Sequence, residues 1–274
     1  MRPKYNQQKQ TTARKCSMIL LMLLSVLRPG GVLGQTQAQE PDSNFHLYLL
    51  IGQSNMSGRG RVDEESKKTN PRVLMFTKDL TWKPASDPLH FDKPLAGVGP
   101  GLTFGKQMAE ANPQVRIGLI PCAVGGTSIK AWVPGAEDQA TKAYPYDDML
   151  KRMRAAQRFG VLKGILWHQG ESDRFASATY GESLTSLIAR LRRDLDAPDV
   201  PFVAGELGTF NPENLAATEK FNAVLQSLAK TVKYYACVSS SGLKDRGDQL
   251  HFNTESARML GKRYAEKMLE MQNY

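Results

Sequence analysis

Ser54 and His251 are the side chains whose chemistry combines most simply in this sequence. A hydroxyl is a poor nucleophile at its own pKa and needs a base within hydrogen-bond reach. That base is usually an imidazole oriented by a carboxylate. The chain has 4 histidines. His46 opens an apolar run and falls at the wrong end of it, and His90 lies in an irregular stretch. His168 and His251 remain as contenders, each in a loop that follows an apolar run. Asp248 stands close enough before His251 for one turn to join carboxylate and imidazole, which fixes the tautomer. An Asp and a His at this spacing are ordinarily coincidence in a surface loop. They gain weight here from a serine loop and a double-glycine loop expected on the same rim.

Acyl transfer also needs N–H donors aimed at the developing oxyanion. The Gly125-Gly126 turn can present a backbone N–H where no side chain intrudes. The Ser54 N–H is a second candidate donor and the Gln169 amide a third. His168, Glu171, Asp173 and His251 follow no closed zinc pattern, so no metal is expected, and the chemistry calls for no organic cofactor.

These residues must be brought together by the elements between them. Short apolar runs at 46–52, 115–121, 161–167, 200–207 and 233–240 read as strands covered on both faces. Leu184, Leu187, Ile188, Leu191 and Leu195 recur at helical spacing. Leu215, Phe221, Val224, Leu225 and Leu228 form a second stripe, and Met259, Leu260, Tyr264, Met268 and Leu269 a third. A further helix is expected at 101–111. Alternating strands and helices predict an α/β fold with a parallel sheet and right-handed crossovers. Ligands bind beyond the carboxyl ends of such strands, where the loops bearing Ser54, Gly125, Gln169 and Asp248–His251 all fall. The stretch 58–98 interrupts the rhythm as an insertion, with a small hairpin expected within 72–85.

The motifs GQSNM at 52–56, VGPGLTFG at 98–105, CAVGGTSIKAW at 122–132, WHQGESD at 167–173 and DQLHF at 248–252 resemble, in order and spacing, those of the SGNH hydrolases. More narrowly, the chain resembles the carbohydrate esterase family that includes acetylxylan esterases and the sialate O-acetylesterase domain. The similarity covers roughly residues 45–270. It implies a flavodoxin-like three-layer α/β/α sandwich with a five-stranded parallel sheet of order 2-1-3-4-5. It implies Ser54 as nucleophile, His251 as base, Asp248 as orienter and Gly125 in the oxyanion hole. The general pattern has an oxyanion Asn after the third strand; this chain offers Gln169 there. In the narrower family the carboxylate of the HQGE segment, Glu171, can also be assigned to orient the histidine. The substrate implied is an acetylated polysaccharide or sugar. A non-catalytic carbohydrate-binding protein on the same fold, and a lipid esterase or thioesterase, are the alternatives.

The whole chain has 41% hydrophobic and 23% charged residues, an ordinary globular composition. Its net charge of +9 invites a nucleic-acid reading, but Arg2, Lys4, Lys9, Arg14, Lys15 and Arg28 precede Glu40 with no acid among them. The remainder carries +3, an ordinary surface, so no nucleic-acid partner is expected. Those basic residues flank a short apolar run, Cys16 to Leu27, followed by Arg28, Pro29 and Gly30. This is the order of a secretory signal peptide, placed at 1–34, with a linker at 35–44 and the esterase domain at 45–274. The protein is therefore expected to be exported, secreted or periplasmic, without stable membrane association after cleavage. Cys122 and Cys237 fall on strands expected to lie far apart, so both are expected as buried, unreactive thiols. Asn55-Met56-Ser57 matches a glycosylation sequon, but a glycan beside Ser54 would block the site.

Overall fold

The computed structural model describes residues 40–272, and the segment read as a signal peptide lies outside them. Strand β1 (Asp42–Gly52) leads into a short helix α1 (Ser54–Ser57). Helix α2 (Glu64–Lys67) follows, started by a capping box between Asp63 and Ser66. Next come β2 (Val73–Phe76), β3 (Trp82–Pro84), α3 (Pro100–Ala111) and β4 (Arg116–Pro121). The chain continues through α4 (Pro145–Gln157), β5 (Gly160–His168), α5 (Ser177–Asp194), β6 (Phe202–Gly205), α6 (Leu215–Ser227), β7 (Tyr235–Val238) and α7 (Thr254–Gln272).

The sheet order is β3-β2-β4-β1-β5-β6-β7. The five expected strands are β1, β4, β5, β6 and β7, and they lie parallel in the expected relative order. The expectation of five strands is corrected to seven. The hairpin of the insertion joins the sheet, with β2 parallel to β4 and β3 antiparallel to β2 at the edge. A parallel edge strand left bare offers unpaired backbone groups, and β2 satisfies those of β4.

Side chains on β1 alternate between two cores because successive residues of a strand face opposite sides. Leu47, Leu49 and Ile51 share one core with Tyr146, Met149, Leu184, Ile188 and Phe221, which places α4, α5 and α6 on one face. Tyr48 and Leu50 pack with Phe104, Met108, Leu260, Tyr264 and Met268, which places α3 and α7 on the other face. The expected helical stripes are core, except that Leu215 and Met259 are exposed and Val224 is half-buried outside both cores. Helix α4 was not among the expected helices. Its apolar residues Tyr146, Met149, Met153 and Ala156 recur at helical spacing but sit among charged ones.

Cys122 and Cys237 are free thiols, and burial pushes the Cys122 thiol up to about 11. Among the described residues no helix is long and apolar enough to cross a membrane.

Candidate active site

Strands β1 and β5 end side by side, with Gly52 opposite His168. Gly52 has φ 128°, and a Cβ there would collide with the His168 carbonyl oxygen. Only glycine allows the two strand ends to come this close. The close approach delivers Gln53 and Ser54 against the loop that carries Gln169 and Glu171.

Ser54 is the first residue of α1 and is 6% exposed. Its Oγ lies 3.0 Å from His251 Nε2. His251 Nδ1 lies 2.8 Å from Asp248 Oδ2. Asp248 Oδ1 accepts the backbone N–H groups of Leu250 at 3.0 Å and His251 at 2.8 Å. Partial burial pulls the Asp248 carboxyl up, but these N–H groups and the imidazole outweigh it and hold it below its usual value. The carboxylate thus stays ionised beside the imidazole.

Glu171 sits elsewhere. Its Oε1 accepts from Asn55 Nδ2 at 2.5 Å, and it lies 3.8 Å from His168 Nε2. His168, the other histidine contender, is fully buried. Tyr264 donates its hydroxyl proton to the Trp167 carbonyl at 2.8 Å, so its oxygen accepts from His168 Nδ1 at 3.1 Å. Burial pushes the His168 imidazole down, against the pull of Glu171. A sealed, neutral ring is placed to support the loop rather than to exchange protons with a substrate.

The two other expected oxyanion donors are engaged. Gln169 Nε2 donates toward Asp173 Oδ2 at 2.5 Å, the Thr127 carbonyl at 3.0 Å and Gln53 Oε1 at 3.1 Å, while its Oε1 accepts from Tyr180. Carboxylate and carbonyl only accept, so the amide's orientation is dictated by its neighbours. Gln53 Oε1 also faces the N–H groups of Gly170 and Ser172. Together these side chains tie the loops after β1, β4 and β5. Asp173 strengthens the tie by accepting from Ser128 Oγ at 2.6 Å and the Ile129 N–H at 2.8 Å.

Gly125 N–H donates to Asp92 Oδ2 at 2.9 Å. Asp92 also accepts from Ser57 and pairs with Arg59 at 3.1 Å, both charged side chains being almost wholly buried. Burial raises the Asp92 carboxyl, but Ser57, Gly125 and Arg59 together hold it below its ordinary value. The insertion therefore reaches the floor of the site through Asp92. Neither Asp92 nor Arg59 was a candidate from the sequence, because nothing in their local spacing points to this contact.

A cleft of about 600 Å³ adjoins the His251 turn and is lined by residues including Arg61, Leu95, Arg246 and Thr254. Arg246 Nε is 3.7 Å from Asp248 Oδ2. Among the described residues, no group of three or more His, Cys, Asp and Glu side chains is placed to hold a metal ion. Asn55, the sequon residue, is 3% exposed and hydrogen-bonded within the protein.

A family model described as carbohydrate esterase, sialic acid-specific acetylesterase matches residues 44–270. A probable carbohydrate esterase of Arabidopsis thaliana is 32% identical over 257 residues, which are 85% of this chain and 94% of the relative. An Arabidopsis thaliana protein solved by X-ray diffraction superposes with a TM-score of 0.72 at 31% identity, covering 84% of this chain and 99% of that one. The crystal structure of NanS superposes with a TM-score of 0.70 at 18% identity, over 86% of this chain and 99% of that one, and shares the fold.

Proposed function

The chain belongs to the carbohydrate esterase, sialic acid-specific acetylesterase family, and on that premise we propose that it is a serine esterase that removes O-acetyl groups from carbohydrate. The observation that carries this reading is the continuous hydrogen-bonded path from Asp248 through His251 to Ser54.

In this mechanism Ser54 Oγ attacks the acetyl carbonyl while His251 Nε2 takes the hydroxyl proton. Asp248 holds the imidazole and stabilises its charged form. The tetrahedral intermediate collapses, the sugar oxygen leaves with the proton from His251, and an acetyl-Ser54 ester remains. Water, deprotonated by His251, attacks that ester and releases acetate. The Ser54 N–H, at a helix start where N–H groups lack an intrahelical acceptor, is assigned to the oxyanion. Gly125 N–H joins it only by turning from Asp92. Gln169 is assigned to holding the loops. The near burial of Ser54 favours a small acyl group such as acetyl.

Residues 1–34 are assigned to a signal peptide and the protein to an exported compartment, where an acetylated polysaccharide or sugar would be its substrate. Acetate release from acetylated xylan, pectin and sialic acid, with Ser54→Ala as control, tests the proposal. Acetate from at least one substrate is expected, and none from the variant. Faster cleavage of octanoyl than acetyl esters would overturn the assignment.

A further inference from the structure

Ser54 and His251 come from opposite ends of the described chain, and neither stands within a long element. Helix α1 has 4 residues. The His251 turn is exposed around Gly247 and Gln249, whose φ angles are 101° and 57°. The Ser54–His251 hydrogen bond cannot by itself hold this turn in place, because catalysis breaks it at each cycle.

Asn55 spans the same junction. Its Nδ2 donates to the Leu250 carbonyl at 3.1 Å, and its Oδ1 accepts the Phe252 N–H at 3.1 Å. The side chain next to the nucleophile thus grips the backbone on both sides of the base. The second Nδ2 hydrogen goes to Glu171 at 2.5 Å. Glu171 as a carboxylate only accepts, so it fixes which end of the Asn55 amide is nitrogen. The Leu250 carbonyl and Phe252 N–H require the same orientation.

We infer that Asn55 is a positioning residue that sets the distance between Ser54 and His251, and that Glu171 acts on the reaction through Asn55. The inference rests on the reading of Ser54 and His251 as the reacting pair. Small misplacements of reacting groups are costly, on the order of a hundredfold in rate for about 1 Å.

The test compares kcat and KM on an aryl acetate for Asn55→Ala, Asn55→Asp, Glu171→Gln and the double variant Asn55→Asp with Glu171→Gln, each checked for folding by circular dichroism. Asn55→Ala is expected to lower kcat about a hundredfold while KM moves less than about threefold. Glu171→Gln, which keeps an acceptor for Asn55, is expected to lose less than about tenfold. Asn55→Asp sets a carboxylate against both Glu171 and the Leu250 carbonyl; adding Glu171→Gln relieves the first clash by giving Asp a donor, so a partial recovery of kcat is expected. This rescue is a readout that a residue serving only stability would not give. A wild-type kcat in folded Asn55→Ala, a Glu171→Gln loss as large as that of Asp248→Asn, or a double variant no better than Asn55→Asp would each overturn the inference. Full activity in Ser54→Ala would instead overturn the underlying assignment of the nucleophile, whatever the Asn55 variants do.

Discussion

Asp248 serves His251 with both carboxylate oxygens. Oδ1 accepts the His251 backbone N–H at 2.8 Å, and Oδ2 faces Nδ1 of the same residue at 2.8 Å. The carboxylate folds the turn and orients the ring that the turn presents. Asp248→Asn keeps an acceptor for the backbone but can no longer stabilise a charged imidazole. Its kcat is expected to fall by about 10⁴ with the fold retained. A loss below about tenfold would show that another group orients His251.

Gln169→Leu is expected to destabilise the protein before it does anything selective to the rate. The change would remove the amide that bridges Asp173, Thr127, Gln53 and Tyr180, although Asp173 keeps the Ile129 N–H, Gln53 those of Gly170 and Ser172, and Tyr180 the Trp167 indole N–H. Each buried polar group left without a partner costs about 1–3 kcal/mol. Urea denaturation measures that loss. A variant of unchanged stability but strongly reduced kcat would return Gln169 to the oxyanion hole.

Gly125→Ala tests the packing beneath the nucleophile. The new Cβ would collide with Arg59 Nη2 and lie 2.9 Å from Asp92 Oδ2. Both side chains are buried and cannot swing freely into water. The expected cost is about 1–3 kcal/mol of stability, together with lower activity from the displaced turn. Wild-type stability and turnover would mean that the pair relaxes without affecting Ser54.

Asp87 predicts a pH dependence of stability. Burial pushes its carboxyl up to about 7, against the pull of Arg258 and Lys106. In the unfolded chain an Asp ionises near about 4. Between those values the folded state keeps a proton that the unfolded state releases. This contribution to stability is whole below the unfolded value and is lost as pH rises through the folded one. Asp87→Asn cannot ionise, so it should gain on the wild type by a few kcal/mol as pH rises from about 4 to about 8. Denaturation at both ends of that window measures the difference, and an advantage of the wild type that grows with pH would refute it.

The alternation of strands and helices was legible in the sequence because each core strand is a short apolar run and most helices bury a periodic stripe. Ser54, Asp248, His251 and Glu171 were legible as candidates because their residue types and neighbours form local motifs. The tertiary structure decided the rest. Strands β2 and β3 are too short for periodicity to show that they extend the sheet. Asn55, Asp92 and Gln53 are ordinary polar residues until folding sets particular loops side by side. Gln169 is the plainest case: its residue type allows it to donate, but only the surrounding acceptors determine where its hydrogens point. A hydrogen bond needs two groups within about 3 Å in the right direction, and for groups far apart in sequence that geometry exists only once the chain has folded.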